Sequence, residues 1–193
     1  MIRVMTKGGK VETVTLLEAE PNVVTAIKTQ EKDGYDALQL GMGKDGKMKK
    51  PQQEALRNLG RFAYLREIRG KLDQAKVGDK ITVEIFSPDD LVRIAGISKG
   101  KGFAGTVKRH GFHRGPATHG HDHHRAPGSI GAMGISRVLP GRRMAGRTGG
   151  KQVTLPKVKV IAVDPKENQI LVRGGVPGIR NSLVIVRKIK SRK

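Results

Sequence analysis

All six histidines of the chain fall within one short stretch, at His110, His113, His119, His121, His123 and His124. The run His119-Gly120-His121-Asp122-His123-His124 offers imidazoles and a carboxylate, which are competent zinc ligands. Around it stand Lys99, Lys101, Lys108, Arg109, Arg114 and Arg125, followed by Arg137, Arg142, Arg143 and Arg147. These cations raise the cost of holding a further cation, and no helix or strand spacing presents the ligands together. Phosphate is the better match. Lys and Arg on glycine-rich backbone neutralise phosphates, and glycine lets that backbone come close to nucleic acid. Each neutralised phosphate releases counterions, so affinity should fall steeply with salt. Histidine serves base edges and phosphates alike, so RNA packing and hydrogen bonding is the preferred reading of the imidazoles.

Gly100-Lys101-Gly102-Phe103-Ala104-Gly105 matches the G-x-G-x-x-G pattern of nucleotide-binding loops, and Thr106-Val107 follows as in a kinase glycine loop. Among so many glycines the pattern carries little weight. A dinucleotide-binding fold needs a long amphipathic helix next, but Gly111, Gly115 and Pro116 interrupt the sequence. The catalytic and metal motifs of a kinase are absent. Ser129 and Ser136 have Asp122 as their sole nearby acid, and no G-x-S-x-G elbow exists. Asp89-Asp90 follows Ser87-Pro88 and reads as a turn leading into a strand. No enzyme and no cofactor are expected.

The elements that must position these residues follow from composition. The 193 residues carry 38 Lys+Arg against 17 Asp+Glu, a net charge of +21, which points first to an acidic partner. Residues 93–151 hold 14 glycines, 12 Lys+Arg and a single acid. Such a block buries little apolar area against a high ordering entropy, and is expected to be disordered or ordered by a partner. Six aromatics and no Trp leave Leu, Ile and Val to build the core and make base stacking a minor mode. There is no cysteine, which excludes disulfides and thiolate metal sites. No apolar run reaches the length of a membrane-spanning helix, and no cleavable apolar leader is expected.

Outside the block, strand-length runs recur at Ile2–Thr6, Val11–Leu17, Asn22–Thr29, Ile81–Phe86, Leu91–Ile97, Val158–Val163, Ile170–Val172 and Leu183–Ile189. Lys7-Gly8-Gly9-Lys10 and Asp164-Pro165-Lys166-Glu167-Asn168 sit between pairs of them as turns do. One short helix is expected over Pro51–Leu59, with Pro in the first turn, Glu54 near its positive end and Gly60 as a stop. The pattern predicts a mostly β fold, a closed barrel or sandwich, formed by residues 1–92 and 152–193, with 93–151 inserted as a long extension.

From Ser98-Lys99-Gly100-Lys101-Gly102-Phe103-Ala104-Gly105-Thr106-Val107-Lys108-Arg109-His110-Gly111-Phe112 the sequence closely resembles the bacterial large-subunit ribosomal protein L-three family. The likeness continues through Gly115-Pro116-Ala117-Thr118-His119-Gly120, His124-Arg125-Ala126-Pro127-Gly128-Ser129-Ile130-Gly131 and Arg143-Met144-Ala145-Gly146. Outside the block it includes Pro21–Thr25, Asp33–Gly41 and Gly175-Val176-Pro177-Gly178. The resemblance implies a translation-protein-type β-barrel on large-subunit rRNA, an early role in subunit assembly, and an extended loop running toward the peptidyl-transferase centre. It implies rRNA contacts by Lys99, Lys101, Lys108, Arg109, His110, His113, Arg114, His119, His123, His124, Arg125, Arg137, Arg142, Arg143 and Arg147. Residues 140–150 would form the tip, with Arg142, Arg143 and Arg147 on phosphates and Met144-Ala145-Gly146 packed where space is tight. Neighbouring ribosomal proteins are expected partners, with no membrane or small-molecule substrate and a cytoplasmic location in the ribosome. Arg147 stands where some bacterial members carry a methylated glutamine, so that modification is not expected.

Two other readings remain open on the residues alone. A metal- or nucleotide-binding enzyme would use the histidine cluster and the Gly100–Gly105 loop, and metal-dependent folding would favour it. A DNA-compacting protein would bind tightly without preferring structured rRNA, although one large insertion in place of tandem basic repeats speaks against it.

Overall fold

Alternation of apolar and polar residues turns into paired strands on both sides of the basic block. The computed structural model describes residues 1–5, 9–43, 48–70 and 75–189. In chain order it contains β1 (Ile2–Met5), β2 (Val11–Glu18), β3 (Asn22–Lys28), α1 (Gln30–Asp33), β4 (Ala37–Met42), α2 (Lys50–Ala55), β5 (Tyr64–Arg69) and β6 (Lys80–Ile81). A 3-10 turn (Val83–Ile85) leads to β7 (Leu91–Ile97), β8 (Phe103–Ala104), α3 (Thr106–His110), β9 (Gly146–Arg147), β10 (Gln152–Asp164), β11 (Gln169–Arg173) and β12 (Val184–Lys188). The mostly β expectation holds. Strand order is β1-β2-β11-β10-β7-β12 in a six-stranded sheet, β5-β4-β3-β6 in a four-stranded sheet, and β8-β9 in a small ribbon.

The chain divides into two compact units, residues 1–94, 156–176 and 186–193 in the first and residues 95–155 and 177–185 in the second. In the first unit Val14, Val92, Ile94, Val160, Ile170 and Val172 are shut off from solvent, because strands of period two send every second side chain inward. Register fixes the same pattern across strands: Val160 lies opposite Val172, and Ile170 opposite Leu17. Each such residue contributes about 1.5–3 kcal/mol by burial. A bulge between Val24 and Ala26 turns Thr25 inward, where its hydroxyl donates to the Gln39 side chain at 2.8 Å and so stays satisfied.

Three expectations need correction. First, the strands leave open sheets among the described residues and do not close into a barrel. The run Ile81–Phe86, expected as a full strand, pairs only through Lys80–Ile81 and then tightens into the 3-10 turn, with the Phe86 N–H donating to the Val83 carbonyl at 3.0 Å. Second, there is more than one short helix. α1 and α3 are four and five residues long, too short to carry a 3.6-residue period, and each ends at a left-handed glycine, Gly34 or Gly111. Third, α2 begins at Lys50 and stops at Ala55, where Leu56 leaves helical geometry and turns its side chain into the core. Leu56–Gly60 then form a turn, with the Gly60 N–H on the Leu56 carbonyl at 3.1 Å, and Glu54 lies beyond the first turn.

The two expected turns differ in visibility. β1 and β2 pair as a hairpin, with Met5 opposite Val11, while Lys7 and Gly8 of its turn lie outside the described residues. Between β10 and β11 the Asp164 carboxylate accepts the Lys166 N–H at 3.0 Å and Asn168 takes a left-handed φ of 53°. Asp89-Asp90 is a turn as read from sequence. Asp90 accepts the Ser87 N–H at 2.8 Å and pairs with Lys188 at 2.6 Å, and Asp89 pairs with Lys159 at 2.7 Å.

Lys188, and then the Ser87 N–H, hold the Asp90 carboxyl below its usual range. Tyr35, and then Lys28, do the same for Glu67, through contacts of 2.8 Å from Tyr35 and 3.2 Å from Lys28. A carboxyl whose pKa is lowered by folding contributes stability that is present above its unfolded pKa and lost as pH falls through the folded value. The urea midpoint is therefore expected to hold near neutrality and decline on acidification below the ordinary carboxyl range. Asp90→Asn should flatten part of that decline; an identical pH profile would refute the assignment.

Candidate nucleic-acid interface

The second unit is built on a neck. The chain leaves along Ser98–Gly102 and returns along Thr148–Lys151, with N–H groups of Ser98, Lys101, Thr148 and Gly150 donating to carbonyls of Lys151, Thr148, Gly102 and Ser98 at 2.9–3.1 Å. Beyond it Phe103 pairs with Arg147 and Ala104 with Gly146. Gly149 takes a φ of +76°, and a Cβ there would run into the Lys99 carbonyl oxygen, so glycine is required on two counts. α3 follows β8 directly. Its last turn holds Lys108, Arg109 and His110, the favourable end of a helix for cations.

From Gly111 to Gly146 the chain runs almost wholly exposed. Its own contacts are few and specific. Arg109 donates to the Met144 carbonyl at 2.7 Å, and His110 Nε2 meets the same oxygen at 3.0 Å. His124 Nδ1 meets the Pro116 carbonyl at 2.7 Å, and the Gly115 N–H donates to the His124 carbonyl at 3.1 Å. Arg142 donates to the Ser129 carbonyl at 2.5 Å.

These contacts sort the fifteen residues assigned to rRNA from the sequence into two groups. Arg109, His110, His124 and Arg142 spend donors on carbonyls of this chain, and His123 meets His121 edge to face at 6.3 Å. Lys99, Lys101, Lys108, His113, Arg114, His119, Arg125, Arg137, Arg143 and Arg147 make no side-chain hydrogen bond or ion pair among the described residues. Their side chains are exposed to solvent. Asp122, the one acid of the block, pairs with none of them. Met144, Ala145 and Gly146 lie together at the return into β9, and Gly146 is packed: a Cβ on it would stand 2.5 Å from Arg109 Nη1. Gly128 takes a φ of +78°, which glycine adopts without steric cost.

The histidines do not converge. Among the described residues no three His, Asp or Glu side chains come together as a metal would need, since His110 and His124 point at separate carbonyls. The Gly100–Gly105 loop leads into a helix of five residues, far shorter than the helix that seats a pyrophosphate. Sequence reading missed the internal role of Arg109 and His110; a basic pair just before a helix-ending Gly111 is the local signal that would have drawn attention to them.

The described helices include none long and apolar enough to cross a membrane. The family profile described as Ribosomal protein L3 matches residues 47–169, a span that contains the whole basic insertion. The chain is 47% identical to the large ribosomal subunit protein uL3 of Carboxydothermus hydrogenoformans, over 97% of this chain and 92% of that one. It is 45% identical to the protein of that name from Geobacillus thermodenitrificans (97% and 91%) and 46% to that of Herpetosiphon aurantiacus (97% and 92%). With the insertion, its neck and both flanking strand regions inside these matches, the chain belongs to the ribosomal protein L3 family.

Proposed function

We propose that this chain is a structural constituent of the large ribosomal subunit that binds large-subunit rRNA and supports early assembly. It acts by binding and carries out no catalysis. Residues 1–92 and 152–193 form the anchoring strand-rich part, and 93–151 form the extended part that enters the RNA, with 140–150 pointing toward the peptidyl-transferase centre. Its partners are rRNA and neighbouring ribosomal proteins, and its place is the ribosome in the cytoplasm. The observation that carries the reading is the row of Lys and Arg side chains from Lys99 to Arg147 that, Arg109 and Arg142 apart, have no side-chain partner among the described residues. Exposed cations on a glycine-rich strand fit a phosphate-lined channel, whose backbone supplies most of the affinity. Lys99, Lys101, Lys108, Arg114, Arg125, Arg137, Arg143 and Arg147 are its phosphate contacts, with His113 and His119 on phosphates or base edges.

Sucrose-gradient sedimentation of the tagged protein from lysate, at low and high salt, tests this. It should migrate with the large subunit and its precursors and stay there through a high-salt wash. Migration as free protein or with DNA would reject the reading.

A further inference from the structure

Given that rRNA-binding reading, we propose that Arg109 and His110 are positioning residues, a latch that sets how the 111–143 loop leaves the neck, and that Arg109 is not a phosphate contact. Both side chains rise from the last turn of α3 and meet one oxygen, the Met144 carbonyl, at 2.7 and 3.0 Å. Imidazole does so as the tautomer carrying its proton on Nε2. The pair thus joins the two chain ends of the loop where it departs from β8 and β9. A charge-assisted donor on a carbonyl is among the stronger single contacts available to an exposed segment, and a closed loop has less conformational freedom to lose when it is bound.

Gly146 forms the seat of the latch. A Cβ there would lie 2.5 Å from Arg109 Nη1 and 3.1 Å from its Cζ, so the guanidinium occupies the room that a side chain would take. Gly146 has no positive φ, and its requirement is space alone. Alanine at this position therefore displaces the end of a flexible side chain, opens the latch and leaves the Arg109 charge in place.

That difference separates positioning from phosphate contact. In filter binding of the full chain to a transcript of large-subunit rRNA over a salt series, Arg109→Ala and Gly146→Ala are each expected to weaken binding about tenfold, the effect of one charge-assisted hydrogen bond. The slope of log affinity against log salt should match the parent's in both. The double variant should bind no more weakly than either single one, because both changes break one contact. Without RNA, hydrogen exchange of the hydrogen-bonded amides of Gly111, Gly115 and Arg142 should quicken in both variants. The inference is overturned if Arg109→Ala lowers the salt slope by about one unit while Gly146→Ala binds like the parent, or if exchange is unchanged in both. A parent that does not prefer the rRNA transcript over duplex DNA would instead overturn the function proposed above, and the exchange comparison would still decide the latch.

Discussion

Changing Arg125, Arg137, Arg143 and Arg147 together to Ala is expected to reduce the slope of log affinity against log salt by about three units, since each phosphate contact on RNA carries roughly 0.7–0.9 of a unit. A fourfold rise in salt would then cost the variant about sixtyfold less affinity than it costs the parent. All four side chains are exposed and none has an internal hydrogen bond or ion pair among the described residues, so the strand-rich unit should unfold at the parent's urea midpoint. Arg142 is left out on purpose because it already donates to the Ser129 carbonyl, and its loss would mix charge with loop conformation. The check is a titration against large-subunit rRNA at several salt concentrations. An unaltered slope would place these arginines away from phosphates.

Gly149→Val should have the largest structural effect in the second unit. Its φ of +76° costs a β-branched residue about 1–2 kcal/mol or more, and the new Cβ would meet the Lys99 carbonyl, which is backbone and has no rotamer to give. The neck hydrogen bonds between Ser98–Gly102 and Thr148–Lys151 must then shift or break. Expected results are fast amide exchange at Lys101, Thr148 and Gly150, and loss of the protein from the large-subunit fraction of a sucrose gradient. The first unit should keep its unfolding transition, because Val92, Ile94, Val160 and Val172 are untouched. Parent-like exchange at the neck would show that the chain accommodates the side chain there.

Some of this was legible in single residues. Period-two runs such as Leu91–Ile97, where Val92 and Ile94 are buried and Leu91 and Arg93 exposed, announce a strand because a pleated backbone sends alternate side chains to opposite faces. β4 and β5 escaped that signal. Ala37 and Leu38 are buried side by side, and Leu65 and Ile68 are separated by Arg66-Glu67, so neither strand alternates cleanly. The same alternation misled at Ile81–Phe86, where a spacing suited to a strand is consumed by a 3-10 turn.

Sequence alone determined the family resemblance and where the basic, glycine-rich block lies in the chain: that block, its nearly absent acids and its ordered motifs all depend on composition and order, which no folding changes. Tertiary structure decided which cations of the block are held by their own chain. Arg109 and Arg143 are alike as residues, yet one guanidinium is held by the Met144 carbonyl 35 positions away and the other has no side-chain partner among the described residues. A hydrogen bond between residues so far apart depends on the return of the chain along β9, and that return is set by the neck and by the space at Gly146, neither of which local spacing encodes.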